Sequence, residues 1–284
     1  MDVLDILPRR VQRELIQLDG ALQEIRLRAG EAPQTILPDG ETRRLGCGAL
    51  TPDELWRITE AAAGGSLYSC ESQLRRGWLS LPGGARLGIC GCVNVENGFV
   101  RSYSEISSLC LRLPHEAIGC AEKLGELYEE NFVSTLIISP PGGGKTTLLR
   151  ELVRLLSSGG LRVGLADERG EVAAVWGGVP QLGVGENTDV ITGAPKAQAA
   201  MTLLRCMNPQ VIALDEITEE ADLAACVSAC GCGVMLLATA HGDSPAQLRR
   251  RPLYAGLLDR KIFSRCVTIR RERGGRVYEV SGLD

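Results

Sequence analysis

The chain has 284 residues, 44% of them hydrophobic and 23% charged, with a formal net charge of −4. That length suits one large or two moderate globular domains and a sizeable core. The acidic balance, with a pI near 5.5, argues against a protein built mainly to coat nucleic acid.

The N-terminal MDVLDILPRR is acidic and then basic, and no long apolar stretch follows it, so no signal peptide is expected. The longest apolar run, Val234–Ala240, is strand-sized, and no membrane-spanning helix is expected. Eleven cysteines, an odd count without an export signal, read as reduced thiols in the cytosol. Cys90/Cys92 and Cys226/Cys230/Cys232 are the two clusters that could hold a metal. Neither has paired C-x-x-C spacing, and small buried packing residues are the better account.

Leu4 to Leu18 has helical spacing, and Glu24–Arg28 alternates as a strand. Pro38-Asp-Gly40 reads as a turn. Thr51-Pro-Asp-Glu54 predicts a helix start with a capping box, running toward Ala63 and stopping at Gly64-Gly65. Pro82-Gly-Gly84 joins Trp78–Leu81 to Ala85–Cys90 as a hairpin, and the meander continues across Glu96-Asn-Gly98. Residues 1–130 are thus expected to form a smaller α+β N-terminal domain.

From 131 to 284 the rhythm becomes strand, loop, helix. Apolar strands are predicted at Thr135–Ser139, Arg162–Ala166, Val211–Leu214, Val234–Thr239 and Cys266–Ile269. Helices are predicted at Lys145–Leu156, Pro195–Met207 and Glu219–Cys230, and a terminal hairpin turns at Gly274-Gly275. Apolar strands separated by crossover helices predict an α/β domain with a mainly parallel sheet covered on both faces.

The stretch Ser139-Pro140-Pro141-Gly142-Gly143-Gly144-Lys145-Thr146-Thr147 follows the first of these strands and opens a helix. It ends like the phosphate loop G-x-x-x-x-G-K-[ST], with Ser139 at the first glycine. In that setting backbone N–H groups can converge on anionic oxygens. Lys145 would neutralise the β and γ phosphates of a nucleotide, and Thr146 would offer its hydroxyl to Mg²⁺. Pro140 and Pro141 lack an N–H, which costs little if residues 142–147 supply the donors. The plain alternative is a glycine-rich turn before a core helix.

A second strand, Val211–Leu214, delivers Asp215 and Glu216 at its C-terminal end, the ligand edge of a parallel sheet. Asp215 suits a Mg²⁺ water shell, and Glu216 can orient or deprotonate an attacking water. By the same logic Asp167 and Glu168 reach that edge, against a solvated turn as the alternative. His241 ends another strand and could sense phosphate or polarise water, against a structural turn histidine. Arg205, just before the acidic strand, could sense phosphate, although most helix arginines are merely solvated.

Together SPPGGGKTTLLREL, DERGE at 167–171, TDV at 188–190, PKAQAAMTLLRCMNPQVIALDEI and ATAHG resemble the stage III sporulation protein AA family. That family is similar in turn to the motor ATPases of type II secretion and type IV pilus systems. EIRLRAGEAP at 24–33 and YSCESQLRRGWLSLPGGARLGICG at 68–91 extend the resemblance over nearly the whole chain. It implies a RecA-like P-loop NTPase core, ATP and Mg²⁺ as ligands, and serine as the usual residue at the first loop position. It also implies a ring, with a hexamer expected, at the mother-cell side of the membrane. There it would be cytoplasmic and peripheral, energising the channel proteins of a sporulation complex.

A neighbouring subunit could supply an arginine to the nucleotide, with Arg86, Arg101 and Arg112 as candidates. A nucleic-acid-handling RecA-like ATPase is the competing reading, supported by Arg249–Arg251 and Arg270–Arg273 and opposed by the acidic pI and few aromatics. A nucleotide-gated scaffold is the non-enzymatic one, and Glu216 counts against it. No nucleic-acid partner is expected.

Overall fold

The computed structural model describes residues 3–18, 22–37, 40–66, 70–96, 98–114, 116–128, 132–272 and 275–283. The chain divides into two compact units, residues 1–115 with 176–181, and residues 116–175 with 182–284. The division falls at 115/116 rather than at the change of pattern near 130. Ala121, Leu124 and Leu127 are the reason, because they bury against Leu148, Leu149 and Leu152 in the second unit's core.

In the first unit a short 3-10 turn, Val3–Ile6, precedes helix α1 (Arg9–Ile16). The apolar spacing predicts one helix over Leu4–Leu18. Pro8, which has no N–H to continue a helical ladder, divides it and takes the position before α1. There follow β1 (Glu24–Arg28), β2 (Gln34–Ile36), β3 (Thr42–Arg44), α2 (Pro52–Ala62), α3 (Glu71–Leu74), β4 (Trp78–Ser80), β5 (Arg86–Glu96) and β6 (Phe99–Arg112). The strands make an antiparallel six-stranded sheet in the order β3-β2-β1-β6-β5-β4.

Alternate residues of the central strands, Ile25, Leu27, Leu87, Ile89, Leu109 and Leu111, enter one core with Val11 of α1 and Leu55 and Ile58 of α2. Helix α2 starts as the sequence predicts. Glu54 N donates to Thr51 Oγ1 at 3.2 Å, and Thr51 N donates to Glu54 Oε2 at 2.9 Å. Past Cys90, β5 is exposed on both faces, and register shifts after Cys90 and Cys92 interrupt the alternation expected to place those two on one face. Cys90, Cys92, Cys230 and Cys232 are exposed, so of the two cysteine clusters only Cys226 has the buried packing role expected of them. The turns read at Pro38-Asp-Gly40, at Asn97 and at Gly274 lie wholly or partly outside the described residues.

The second unit contains β7 (Thr135–Ser139), α4 (Lys145–Ser158), β8 (Val163–Asp167), β9 (Thr188–Thr192), α5 (Lys196–Cys206), β10 (Val211–Leu214) and α6 (Glu220–Gly231). It continues with β11 (Met235–His241), α7 (Pro245–Leu248), α8 (Pro252–Asp259), β12 (Arg265–Glu272) and β13 (Gly275–Gly282). Its seven-stranded sheet has the order β13-β12-β7-β11-β10-β8-β9. Every described pairing is parallel except β12 with β13.

Strand residues alternate between two cores. Leu136, Ile138, Ile212 and Leu214 pack with α5, α6 and α8 on one face. Ile137, Val163, Leu165 and Val211 pack with α4 on the other. This is an α/β layer arrangement with a mainly parallel sheet, preceded by a smaller α+β unit. Strand β9 and helices α7 and α8 are additions to the elements predicted for this unit. β9 is only half-buried at the sheet edge, so its sequence lacks the apolar run that marks a central strand. Among the described residues no helix is long and apolar enough to cross a membrane.

Candidate functional site

Parallel pairing brings the C-terminal ends of β7, β8, β10 and β11 to one edge, with His241 level with Ser139 and Ala213 level with Leu165 and Leu237. The chain leaves β7 through Pro140–Gly144 and turns directly into α4. Gly142 and Gly144 carry φ of 73° and 102°, a left-handed region that side chains resist, so glycine is required at both. Gly143 is required for space, since a Cβ there would lie 2.2 Å from Ser139 Oγ. The Ser139 hydroxyl in turn donates to the Pro140 carbonyl at 2.9 Å.

The resulting cleft is lined by Gly142, Gly144, Lys145, Thr146 and Thr147 from the loop and α4. Across it stand Glu168, Arg169, Glu171, Lys196, Asp215, Glu216, Thr218, His241 and Arg276. Lys145 Nζ donates to the carbonyls of Ser139 at 3.2 Å and Pro140 at 3.4 Å. It also lies 2.8 Å from His241 Nδ1. A charged ammonium can only donate, so Nδ1 accepts and the proton sits on His241 Nε2, which faces Glu216 Oε1 at 3.0 Å. Burial pulls the Lys145 pKa below its ordinary value, and Glu216 and Asp215 partly offset that.

Thr146 Oγ1 meets both Asp215 carboxylate oxygens at 3.4 Å. Thr239 Oγ1 donates to Asp215 Oδ1 at 3.2 Å and accepts from the Glu216 N–H at 2.9 Å. Glu216 has φ of 52°, an uncommon conformation for a side-chain-bearing residue. Burial pushes the Asp215 pKa up to about 6, with Glu171, Asp167 and Glu216 adding repulsion. A hard divalent cation fits this setting. Mg²⁺ takes oxygen ligands, needs few from protein, and would offset the clustered charge; Thr146 and Asp215 are the oxygen donors that could hold it.

The predicted residues divide as follows. Gly142, Gly144, Lys145, Thr146, Thr147, Glu168, Asp215, Glu216 and His241 all line the cleft. Ser139 and Gly143 shape the loop beneath it, and Pro140 and Pro141 form its exposed outer turn. Asp167 ends β8 at the ligand edge, but it is not among the residues that line the cleft. Its buried carboxylate accepts from the N–H groups of Glu171 at 2.9 Å, Val172 at 3.1 Å and Ala173 at 2.9 Å, and so folds the following loop.

Arg205 is also misplaced by the sequence reading. It is exposed in the last turn of α5, roughly 13 Å of helix from Lys196. A residue just before a parallel strand belongs to the edge opposite the ligand, which is the reason Arg205 is not among the cleft's lining residues.

Lys196 was missed, because without β9 nothing in the sequence places the start of α5 at the ligand edge. It is buried, 2.8 Å from Glu168 Oε2 and 3.7 Å from Asp222 Oδ2. Burial lowers its pKa, but Glu168 and Asp222 outweigh that and hold it above the ordinary value. Arg169, Glu171, Thr218 and Arg276 were missed too. Glu171 and Arg169 fall inside DERGE, whose pattern assigns them no role, and Arg276 lies in a hairpin that carries no motif.

The candidate trans arginines lie in the first unit. Arg86 stacks over the Trp78 ring at 4.6 Å, Arg101 pairs with Glu96, and Arg112 meets Glu24 at 3.1 Å. Several members of the arginine runs are used internally. Arg249 pairs with Asp259 at 3.3 Å, Arg251 donates to the His241 carbonyl at 2.9 Å, and Arg270 pairs with Glu279 at 2.9 Å. That weakens their case as a nucleic-acid surface.

The sequence model of the family described as "Sporulation stage III, protein AA" matches residues 2–283. Stage III sporulation protein AA of Bacillus subtilis (strain 168) is 33% identical over 294 residues, spanning 100% of this chain and 95% of its own length. Among solved structures, the ATPase DotB of Legionella pneumophila superposes with a TM-score of 0.65 at 17% identity, covering 98% of this chain and 82% of its own. The pilus retraction motor PilT, solved with bound ADP, superposes with a TM-score of 0.64 at 19% identity, covering 97% and 82%. These two likenesses show that the chain shares the fold of DotB and PilT.

Proposed function

The chain belongs to the sporulation stage III protein AA family, and from that premise we propose that it is an ATP hydrolase working in endospore formation. Hydrolysis drives assembly of, or transport through, a membrane-associated channel complex of secretion type. The observation that carries this reading is the meeting of Thr146 with Asp215 at 3.4 Å, which joins a phosphate loop to an acidic strand end.

In this reading the backbone N–H groups of residues 142–147 and the Lys145 ammonium hold the nucleotide phosphates, over a loop shaped by Ser139, Pro140, Pro141, Gly142, Gly143 and Gly144. Mg²⁺, held by Asp215 and Thr146, supplies charge neutralisation at the phosphate oxygens when bound. Glu216 orients the attacking water and takes its proton. His241 bridges Lys145 and Glu216, so it links phosphate occupancy to the carboxylate that acts on water. Glu168 stays at the cleft wall, held by Lys196. Arg205 has no part.

The working form is a ring of identical subunits, with a hexamer the expected size. One of Arg86, Arg101 and Arg112 would supply positive charge to a neighbour's nucleotide. The ring would sit in the cytoplasm at the mother-cell side of the membrane and touch it through channel proteins. Resemblance to the family supports these last points.

The test is nucleotide binding and turnover by the full chain and two variants. Lys145→Ala should lose nucleotide binding. Glu216→Gln should bind nucleotide with Mg²⁺ yet fall by about 10²-fold or more in turnover, because it acts on water and leaves the phosphate contacts intact. Normal turnover by Glu216→Gln would remove it from that role, and wild-type protein that binds no nucleotide would end the reading.

A further inference from the structure

Arg276, on the edge strand β13, reaches back over the phosphate loop. Its Nε lies 2.7 Å, and its Cζ 2.9 Å, from where a Cβ on Gly144 would stand, so it lies directly against the residue just before α4. It lines the same cleft as Lys145 and Thr146. Among the described residues no carboxylate pairs with it.

Sheet order fixes which side of the loop it occupies. Strands β11, β10 and β8 lie on one side of β7 and carry His241, Asp215, Glu216 and Glu168 at or just beyond their ends. Strands β12 and β13 lie on the other side and carry Arg276. A nucleotide seated on the loop must turn its reacting terminal phosphate toward the carboxylates, where a metal ion and water are held. Its nucleoside end therefore points toward β12 and β13.

Resting on the proposed reading of this cleft, we propose that Arg276 is a nucleotide-binding residue supplied in cis, gripping the α- and β-phosphates from the nucleoside side of the loop. Its planar fork of donors suits phosphate oxygens, and hydrogen bonds between charged partners are the strong ones. Because the α- and β-phosphates are common to both nucleotides, Arg276 sets affinity for nucleoside diphosphate and triphosphate alike. A residue acting on the terminal phosphate would favour the triphosphate alone.

The experiment is a fluorescence titration of the full chain with fluorescent ADP and with a fluorescent non-hydrolysable ATP analogue, both with Mg²⁺. Wild type, Arg276→Gln and Arg276→Lys are compared after thermal melts show equal folding. Arg276→Gln keeps bulk over Gly144 without charge and should raise Kd about ten-fold for both ligands. Arg276→Lys keeps a point charge and should recover part of that loss. Unchanged Kd values for Arg276→Gln, or a loss confined to the triphosphate analogue, overturn this inference while wild-type binding leaves the reading of the cleft standing. Wild-type protein that binds neither ligand overturns both.

Discussion

At the scale of single residues, the cleft is held by charges that compensate one another inside the fold. Lys196 is the clearest case, since it faces Asp222, whose carboxylate is fully buried and accepts from the Thr218 N–H at 2.9 Å. Removing the ammonium leaves that carboxylate uncompensated. Lys196→Met should therefore cost on the order of 3–5 kcal/mol, read as a lower denaturation midpoint, whereas the exposed Arg205→Ala should change stability by less than about 0.5 kcal/mol. Equal effects of the two would mean that Lys196 is not a structural charge. The residues that follow a phosphate-loop pattern were legible because their chemistry is local: glycine, lysine and threonine at fixed spacing. Lys196 and Arg276 were not, since what the ammonium or guanidinium meets is decided by chain folded back from elsewhere.

At the scale of elements, terminal signals were the most readable. Helix α2 begins where Thr51, Pro52 and Glu54 say it should, because a capping box satisfies backbone donors within four consecutive residues. Glu54 does more than cap. It also binds Arg10 of α1, with Nη2 to Oε2 at 2.8 Å, which ties two helices of the first unit together. That guanidinium holds the Glu54 carboxyl well down, at about 2.

A folded-state pKa below the unfolded one means that the stabilisation is complete above the unfolded value of 4.5 and is lost as pH falls toward 2. The pair is partly solvated, so we expect about 1 kcal/mol from it, rather than the full value of the shift. Glu54→Gln should lose that contribution near neutral pH and match wild type near pH 2. Amide exchange along α2 would measure it, and a constant difference across that range would exclude the ion pair as its source. Elements at sheet edges were harder to read, because β9 has no apolar run to announce it. The helix read over Leu4–Leu18 failed for a different reason, since apolar spacing says nothing of the lost N–H at Pro8.

For the molecule as a whole, the change of pattern near residue 130 gave the order of the two parts but not their border. Residues 121–127 carry the short mixed spacing of the first part, yet their apolar side chains complete the core under α4. Packing outranks local pattern in deciding where a domain ends. The proposed ring is tested at this scale by native mass, with and without a non-hydrolysable ATP analogue. Assembly to about six copies of the 30.4 kDa chain when the analogue is present is the expected result. A monomer under both conditions would remove the need for an arginine in trans.

The loop between β7 and α4 also has a hollow with room for only one occupant. Ser139 Oγ fills the volume that a methyl on Gly143 would need. The constraint usually placed on the first position of such a loop has been handed to the fifth, so the two sites trade a single small group between them. Gly143→Ala alone should therefore disable nucleotide binding, while the exchange Ser139→Gly with Gly143→Ala should restore much of it.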